Sequence, residues 1–304
     1  MTKLAVVTGA TGTVGKVIVT MLLERGYRVR ILTRNRSYED PRTEVVNGDL
    51  ADITSIETFL CDAEYVFHCA AELHDEAKMW QTNVIGTQNL ITATTKQDIK
   101  YICHLSSVGV IGKFTGIVAD EKTACAPLNM YEKTKLHSEE FVQSFQSPAQ
   151  IVILRPTNVV DRNKNSIIGL SKVKAVIKGG ENANIVHAED VAAAALFFIE
   201  HPPQSTPDCF IVSCDQEKMN TIAGCLALVE AIRNGNPLEN VKPFFHLPWL
   251  FPYVVRRLLK GPCNRSDVCY SSEKLVSAGF TYPIGFIGAL RNIARMPDNH
   301  SASI

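Results

Sequence analysis

Apolar runs and segments of helical period alternate along the first 160 residues. The apolar runs are short, as in buried strands, and they occupy residues 4–7, 28–32, 44–50, 64–71, 101–105 and 151–154. Between them, helical periodicity predicts a short helix at Ile53–Leu60 and a longer one at Lys78–Lys96. The regular alternation predicts an α/β fold with a doubly wound, parallel sheet and right-handed crossovers.

Three glycines separate the first predicted strand from the first predicted helix. Gly9 lets the chain turn tightly, Gly12 leaves room for a pyrophosphate, and Gly15 lets the helix pack against the strand. The amides at the N-terminus of the helix then face the phosphates. The stretch predicts a dinucleotide site in a Rossmann-type domain, and a glycine-rich turn without a ligand is the alternative. Ala70 and Ala71 are small where the fourth strand should pass beneath the cofactor.

The end of the second predicted strand indicates which dinucleotide binds. An acidic side chain there would accept hydrogen bonds from the adenine ribose of NAD. Thr33 and Arg34 occupy this place, and no acid follows before Glu39. Because a cation suits a 2′-phosphate, the sequence favours NADP, with NAD left open and a solvated loop arginine as the alternative. Asp49, after the third strand, could cap the next helix or bind the adenine amino group.

Three side chains point to proton transfer. Ser107 follows the fifth predicted strand, at the carboxyl end where open α/β sheets bind ligands. Tyr131 and Lys135 are four residues apart and therefore share one helix face. A neighbouring ammonium lowers the pKa of a tyrosine, and the same lysine can bind a ribose hydroxyl. The three residues predict a site in which Tyr131 is the acid/base and Ser107 holds the substrate oxygen.

Other residues of chemical interest are interpreted as structural. His68 lies within a predicted strand and is expected to be a packed core residue. His187, Glu189 and Asp190 together suggest a metal site, but Asp190 is expected to cap a helix at Val191–Glu200. No metal is therefore expected.

Composition narrows the class of protein. The 304 residues carry no net charge, which gives no support for nucleic-acid binding. Nine scattered cysteines form no CxxC pair, and the N-terminus lacks a signal-like apolar region, so a cytoplasmic protein with reduced thiols is expected. The chain lacks an apolar run of about 18 residues that would predict a membrane span.

The chain resembles the extended branch of the short-chain dehydrogenase/reductase superfamily, the NAD-dependent epimerase/dehydratase family. TGATGTVG at Thr8–Gly15 matches TGxxGxxG, and YEKTK at Tyr131–Lys135 matches YxxxK. The segment HLSSVGVIG at His104–Gly112 looks like the family's serine strand, with Ser107 in the catalytic place and Ser106 as its structural neighbour. Supportive matches lie at residues 48–50, 69–71, 83–90, 154–161 and 186–192.

Together with the spacing arguments above, the resemblance implies a role for each matching residue. Tyr131, Lys135 and Ser107 would be catalytic, and Asn83 would brace a helix against a strand. The cofactor would contact Gly9, Thr11, Gly12, Thr13, Val14, Gly15, Arg34, Asp49, Leu50, Ala70, Ala71, Lys135, Pro156 and Asn158. Of these, Pro156 and Asn158 would lie near the nicotinamide.

The chain is expected to form two parts. Residues 1–160 form the dinucleotide-binding domain, and a strand and helix at about 185–215 return to it. Residues 161–184 and 216–296 form a small C-terminal substrate lobe. The polar residues 297–304 are expected to be a disordered tail.

The segment 243–260 is apolar, contains three prolines and ends in basic residues. The prolines exclude one long straight helix, and the segment resembles the corresponding stretch of 3β-hydroxysteroid dehydrogenase-like and dihydroflavonol reductase-like proteins. Three interpretations stay open, namely a hydrophobic lid over the substrate, a contact with a membrane surface, and a core segment that joins the two parts. Self-association as a homodimer also stays open.

The resemblance implies a reversible hydride transfer between NADP(H) and a secondary alcohol or ketone, either a 4-keto sugar nucleotide or a sterol-like ketone. The main alternative is a nucleotide-sugar epimerase that retains NAD. A dehydratase is disfavoured because Val108-Gly109, rather than an Asp-Glu pair, follows Ser107. A non-catalytic nucleotide-sensing protein is a further alternative, although the Tyr131–Lys135 pair is present. The expected partner is a small-molecule substrate rather than a nucleic acid.

Overall fold

The computed structural model describes residues 2–35, 39–161, 170–261, 263 and 265–295. The expected disordered tail at 297–304 and residues 162–169 of the expected substrate lobe lie outside these residues. Among the described helices, none is long and apolar enough to cross a membrane.

Seven strands form one sheet. In chain order, the strands of the molecule are β1 Leu4–Thr8, β2 Arg28–Thr33, β3 Glu44–Asn47, β4 Tyr65–His68, β5 Tyr101–Leu105, β6 Val118–Ala119, β7 Gln150–Pro156, β8 Asn158–Val160, β9 Ile185–His187, β10 Asp208–Val212 and β11 Cys269–Tyr270. The large sheet has the order β10-β7-β5-β4-β1-β2-β3, and its strands pair in parallel. The chain therefore winds outward from β1 in both directions, which confirms the predicted doubly wound parallel sheet.

Helices cover both faces of this sheet. In chain order, they are α1 Gly15–Glu24, α2 Ile53–Leu60, α3 Glu76–Met79, α4 Gly86–Ala93, α5 Met130–Ser144, α6 Lys172–Lys178, α7 Ala188–Glu200, α8 Ile222–Arg233, α9 Leu250–Lys260, α10 Glu273–Ser277 and α11 Gly285–Ala294. A π-helical section at Trp80–Ile85 joins α3 to α4. The predicted helix at residues 78–96 therefore exists, with a local change of helical pitch in its middle.

A separate core layer lies on each face of the sheet. Ala5 and Val7 of β1 pack into the layer that contains α1 and α7. Leu4 and Val6 pack into the layer that contains α2 and α4. Successive strand residues point to opposite faces, so a strand covered on both sides must be apolar throughout. Each fully buried aliphatic side chain contributes roughly 1.5–3 kcal/mol to the stability of these layers.

Within the region at about 185–215 that was expected to return to the first domain, one strand does not join the large sheet. It is β9, which pairs in parallel with β8 in a separate two-stranded sheet, with Asn158 opposite Ile185. The large sheet is instead completed by β10, which pairs with β7 after the chain has returned through α7. Because β8 follows directly on β7, the small sheet continues past the carboxyl edge of the large one. It thereby borders the cavity described below.

Asp190 does not cap its own helix as the sequence suggested. The N-cap of α7 is His187, whose Nδ1 accepts a hydrogen bond from the amide of Glu189 at 3.2 Å. Asp190 lies in the first turn of α7, and its carboxylate accepts hydrogen bonds from the amides of Ile284 and Gly285 at 2.8 and 3.1 Å. Ile284 directly precedes α11 and Gly285 is its first residue. Asp190 therefore caps a helix that is distant in the sequence.

The segment 243–260 is not a core segment. Phe245 is 83% exposed, and Leu258 and Leu259 of α9 are 80% and 78% exposed. The prolines do not prevent the helix, because Pro252 lies in its first turn, where proline is tolerated. The lid and membrane interpretations are taken up below.

Candidate active site

The glycine turn after β1 is closely packed. Gly9 has a positive φ of 66°, and a Cβ there would lie 2.6 Å from the amide nitrogen of Ala70. A Cβ on Gly15 would lie 2.2 Å from the carbonyl oxygen of Gly9. Both positions therefore require glycine, for the backbone turn and for the approach of α1 to β1. A Cβ on Gly12 would lie 3.2 Å from its nearest atom, the carbonyl oxygen of Gly9, so the surrounding protein leaves more space at this position.

A cavity of about 710 Å³ opens at the carboxyl ends of the central strands. Its volume falls in the ordinary range for a ligand or cofactor site. The structure brings all of the sequence-predicted site residues to its walls, namely Ser107, Tyr131, Lys135, Gly9, Thr11, Gly12, Thr13, Val14, Gly15, Arg34, Asp49, Leu50, Ala70, Ala71, Pro156 and Asn158. The predicted set therefore surrounds one continuous space.

Thr33, which the sequence placed beside Arg34, also lines the cavity. The remaining lining residues were not assigned to the site from the sequence, and they are Thr8, Leu32, Asn35, Gly48, Cys69, Leu73, Thr82, Leu105, Ser106, Thr157 and Val159. Most are direct chain neighbours of predicted residues at strand ends, so their position in the sequence could have identified them. Leu73 and Thr82 are different. They lie in the loop after β4 and in the π-helical section, and only the course of the folded chain brings them to the cavity.

The residues around the cavity fit a dinucleotide. The glycine turn and the N-terminus of α1 lie at one end, and Ser107, Tyr131 and Lys135 contribute to the same walls. Amides at a helix N-terminus suit phosphate groups, and the glycines keep side chains out of that space. When bound there, a nicotinamide dinucleotide would supply or accept the hydride.

A reciprocal cap begins α5 and places Tyr131 in its first turn. The side chain of Asn129 accepts a hydrogen bond from the amide of Glu132 at 2.9 Å. The carboxylate of Glu132 accepts one in return from the amide of Leu128 at 2.6 Å. This exchange resembles a capping box and fixes where the helix starts. The start of α5 in turn determines which face carries Tyr131 and Lys135.

Lys135 is buried beneath the cavity. Its ammonium donates a hydrogen bond to the carbonyl oxygen of Leu105, at the end of β5, at 2.6 Å. Burial lowers the pKa of Lys135 to about 8, and the nearby carboxylate of Glu139 opposes the shift. The lysine is therefore mostly protonated at neutral pH and is held against the strand that leads to Ser107.

The pKa of Tyr131 differs from the sequence-based expectation. Burial raises it above its ordinary value, and a hydrogen bond with Ser107 acts in the opposite direction. The expected lowering by Lys135 is therefore wrong for this structure, because desolvation of the phenol is the largest effect. Tyr131 is consequently a protonated phenol at neutral pH, and Ser107 lines the same cavity.

A buried ionic network supports these residues from behind. Glu139 lies one turn beyond Lys135 on α5, and its carboxylate binds the guanidinium of Arg155 on β7 through contacts of 2.5 and 3.1 Å. The hydroxyl of Ser106 donates to the same carboxylate at 2.5 Å. Ser106 directly precedes Ser107, so the network joins α5, β5 and β7 at the site. From the sequence, Ser106 was expected only as a structural neighbour of Ser107, and the role of Glu139 was not predicted.

His68 is the packed core residue that the sequence predicted, whereas Asn83 braces a loop rather than a strand against its helix. Burial lowers the pKa of His68 to about 3, and its ring nitrogens lie 2.7 Å from the hydroxyl of Thr8 and 2.8 Å from that of Thr87. The side chain of Asn83 bonds the backbone amide and carbonyl of Glu72 at 2.7 and 3.0 Å. Asn83 therefore braces the loop after β4 against the helix that follows it.

Arg34 and Asp49 face each other across another part of the cavity. Arg34 Nη1 lies 3.9 Å from Asp49 Oδ2, and the side chain of Arg34 is 59% exposed. Asp49 does not cap α2, because Asp52 is the residue that accepts hydrogen bonds from the amides of Thr54 and Ser55. The prediction that Asp49 binds the adenine amino group stays a prediction.

Comparisons with known proteins agree with this geometry. The sequence profile of the NAD dependent epimerase/dehydratase family matches residues 5–212. Sterol-4-alpha-carboxylate 3-dehydrogenase, decarboxylating, from Mus musculus is 26% identical over 219 residues, or 64% of this chain and 60% of that protein. A Synechocystis protein provisionally named dihydroflavonol 4-reductase is 28% identical over 282 residues, or 86% of this chain and 80% of its own length.

Solved structures show the same fold. UDP-glucose 4-epimerase from Thermotoga maritima, determined with UDP-glucose, has a TM-score of 0.72 at 19% identity and covers 96% of this chain and 97% of its own. The enzyme WbmH of Bordetella bronchiseptica, in complex with NAD+, has a TM-score of 0.73 at 18% identity and covers 97% of each chain. The present chain spans about three fifths of the length of the sterol dehydrogenases that it matches.

Proposed function

Because the chain belongs to the NAD dependent epimerase/dehydratase family, we propose that it is an oxidoreductase that transfers hydride between NADP(H) and a secondary alcohol or ketone. One observation carries the proposal. Ser107, Tyr131 and Lys135 line the same cavity as the glycine turn after β1. A proton-transfer group and a dinucleotide cradle thus share one space, as hydride transfer to a carbonyl requires.

The protein side chains would supply the proton and the orientation. Tyr131 donates its phenolic proton to the ketone oxygen during reduction and accepts it in the reverse reaction. Its raised pKa keeps the proton on the phenol at neutral pH, which suits the reductive direction. Ser107 holds the same substrate oxygen by a hydrogen bond, and Lys135, fixed by the carbonyl of Leu105, anchors the cofactor ribose.

We propose NADP rather than NAD as the cofactor because the guanidinium of Arg34 lies at the end of β2. Arg34 lines the cavity next to Thr33, and the described wall offers no acid at the end of β2 to bind two ribose hydroxyls. The neighbouring carboxylate of Asp49 is 3.9 Å away, so the guanidinium can turn toward a phosphate. Several related structures are described with NAD, which makes NAD the alternative.

Arg34→Ala should raise the dissociation constant for NADPH by about tenfold or more, because a charge-assisted bond to the 2′-phosphate is lost. The constant for NADH should change little. Fluorescence titration of both nucleotides provides the measurement. Arg42→Ala, which removes an exposed arginine that is bonded to Asp40, is the matched control. Equal effects on NADPH and NADH would show that Arg34 does not select the cofactor.

The substrate that we propose is a 4-keto sugar nucleotide or a sterol-like ketone. A second cavity of about 250 Å³ bears on this choice, since its walls include Arg256, Arg265 and Asn184. The backbone of Asn184 bonds that of Asn158, which lines the first cavity, so the walls of the two cavities meet at the small β8–β9 sheet. Arg256 is ion-paired with Glu181 and Arg265 with Asp267, so a substrate diphosphate would bind there by exchanging with these carboxylates. Nucleotide-sugar epimerisation with retained NAD is the second candidate.

The nucleotide recovered from the purified protein separates these functions. For the oxidoreductase, we expect a site that exchanges added NADPH freely, and a fall in NADPH absorbance matched by one equivalent of reduced product in a screen of ketones. Tightly retained NAD+ with no net cofactor consumption would favour the epimerase. Nucleotide binding without turnover of either substrate class would favour the non-catalytic sensing protein.

A further inference from the structure

Helix α9 has an apolar stripe that points to solvent and a charged side chain that points to the protein, which is the opposite of an ordinary surface helix. Its apolar side chains face solvent, with Leu258 80% and Leu259 78% exposed. A polar side chain faces the protein instead, since Arg256 is ion-paired with Glu181 at 3.1 Å and hydrogen-bonded to Ser266. A surface helix normally buries its apolar stripe. The outward stripe therefore indicates an apolar partner beyond the described fold.

The apolar stripe is part of a larger surface, which we call the outer apolar surface. Its main members are Phe245, Leu250, Phe251, Val254, Leu258 and Leu259, all exposed. Helix α6, which contacts α9, adds the exposed side chains of Val173 and Ile177. The amide of Leu247 also donates to the carbonyl oxygen of Val176 at 2.9 Å, which ties the two segments together. Contiguous exposed apolar patches of this kind mark interaction sites.

The charges around this surface have one sign. Residues 241–265 contain five lysines and arginines and no acid, and residues 172–178 of α6 contain three lysines and no acid. Two of these basic residues are neutralised by acids from elsewhere in the chain, Arg256 by Glu181 and Arg265 by Asp267, which leaves an excess of positive charge. Over the whole chain, 31 basic and 31 acidic residues balance. The positive charge is thus concentrated on the elements that carry the outer apolar surface. Apolar side chains flanked by basic ones match a membrane interface with anionic headgroups.

Two other occupants fit the structure less well. None of the outward side chains named above lines either of the cavities described in the previous sections, so the surface is not a lid in this structure. A second copy would meet the same patch through a two-fold axis. That arrangement would oppose two surfaces that each carry an excess of positive charge, and like charges repel.

We propose that the outer apolar surface docks on an anionic phospholipid surface, with α9 lying in the plane of the interface. At 11 residues, α9 is about 16 Å long, which suits a helix that lies on a membrane rather than crossing it. Phe245, Leu258 and Leu259 enter the boundary between headgroups and acyl chains, while Arg257 meets lipid phosphates. This inference is independent of the proposed hydride transfer.

Co-sedimentation with lipid vesicles tests the proposal. The full chain should bind vesicles of phosphatidylcholine mixed with phosphatidylglycerol, should bind phosphatidylcholine alone more weakly, and should release as salt screens the charges. The double variant Leu258→Asp/Leu259→Asp should weaken binding by at least about tenfold. The single variant Arg257→Glu should weaken it by about fivefold or more.

Two variants outside the surface serve as matched controls. Ile53 is 57% exposed on α2, and Lys218 is exposed after β10, so Ile53→Asp and Lys218→Glu should bind as the unaltered chain does. Circular dichroism and thermal melting establish that each variant is folded. Failure of the unaltered chain to bind the mixed vesicles, or equal binding to both vesicle types, overturns the proposal. A dimer in light scattering that the Leu258/Leu259 variant dissociates overturns it too, in favour of a second copy.

Discussion

Tyr131→Phe should lower kcat by about a hundredfold or more, while the dissociation constant for NADPH stays within about twofold of its original value. The substitution removes the proton that the phenol would give to the substrate oxygen and leaves the ring in place. The cradle at Gly9–Gly15 is unchanged, so cofactor binding should survive. Steady-state turnover of the ketone found by screening, together with fluorescence titration of NADPH, measures both quantities.

Tyr27→Phe is the matched control for this experiment. Tyr27 packs edge to face on Tyr65 in the core layer beside α1, remote from the cavity walls, and its loss of a hydroxyl should leave kcat unchanged. An undiminished kcat in Tyr131→Phe would contradict the assignment of the acid/base. Loss of NADPH affinity together with kcat would instead give Tyr131 a binding role.

Glu139→Ala should lower the free energy of unfolding by about 3–5 kcal/mol, because it leaves the guanidinium of Arg155 buried without its carboxylate. Both partners are almost inaccessible, with side-chain exposures of 1% for Glu139 and 4% for Arg155. Ser106 also loses its hydrogen-bond acceptor. Urea denaturation monitored by circular dichroism gives the change.

An exposed ion pair provides the control for Glu139. Glu57 and Lys96 lie 2.6 Å apart with exposures of 47% and 65%, so Glu57→Ala should cost less than about 1 kcal/mol. The double variant Glu139→Met/Arg155→Met should recover part of the loss, since no buried charge then remains unpaired. A cost for Glu139→Ala no larger than that of Glu57→Ala would show that the buried network is not a principal support of the site.

The network also explains how the site residues stay in register. Ser106 directly follows β5 and Arg155 lies on the neighbouring parallel strand β7, and Glu139 holds both from the helix that carries Tyr131 and Lys135. A shift of α5 along the sheet would break these bonds together with the bond between Lys135 and the carbonyl of Leu105. The sequence contains Glu139 four residues after Lys135, so the shared helix face was readable. Its partner on β7 was not, since that contact depends on strand order.

Local spacing was sufficient for much of the fold. The glycines at three-residue intervals, the apolar runs and the helical periods depend on neighbours within one or two turns, and they correctly predicted the parallel sheet and the turn after β1. The four-residue separation of Tyr131 and Lys135 also placed them on one face of α5. The assignment of NADP rests on Arg34 and stays a prediction.

Contacts between residues distant in the sequence decided two features that local spacing predicted wrongly, namely the helix that Asp190 caps and the direction in which the pKa of Tyr131 shifts. The sequence predicts that Asp190 caps its own helix. It caps α11 instead, because the tertiary structure brings the amides of Ile284 and Gly285 to its carboxylate. The Tyr131–Lys135 pair predicts a lowered tyrosine pKa, yet burial raises it. Desolvation depends on every element that surrounds a side chain, so no local pattern reports it.

The sequence by itself determined the main strands and helices around β1, the glycine turn and the predicted residues that line the cavity, since these follow from local spacing. Only the tertiary structure decided which face of α9 points outward. The apolar pattern of residues 243–260 fits a core segment, a lid or a membrane contact equally well, because periodicity defines a stripe but not its direction. The ion pair between Arg256 and Glu181, 75 residues apart in the chain, turns that stripe toward solvent.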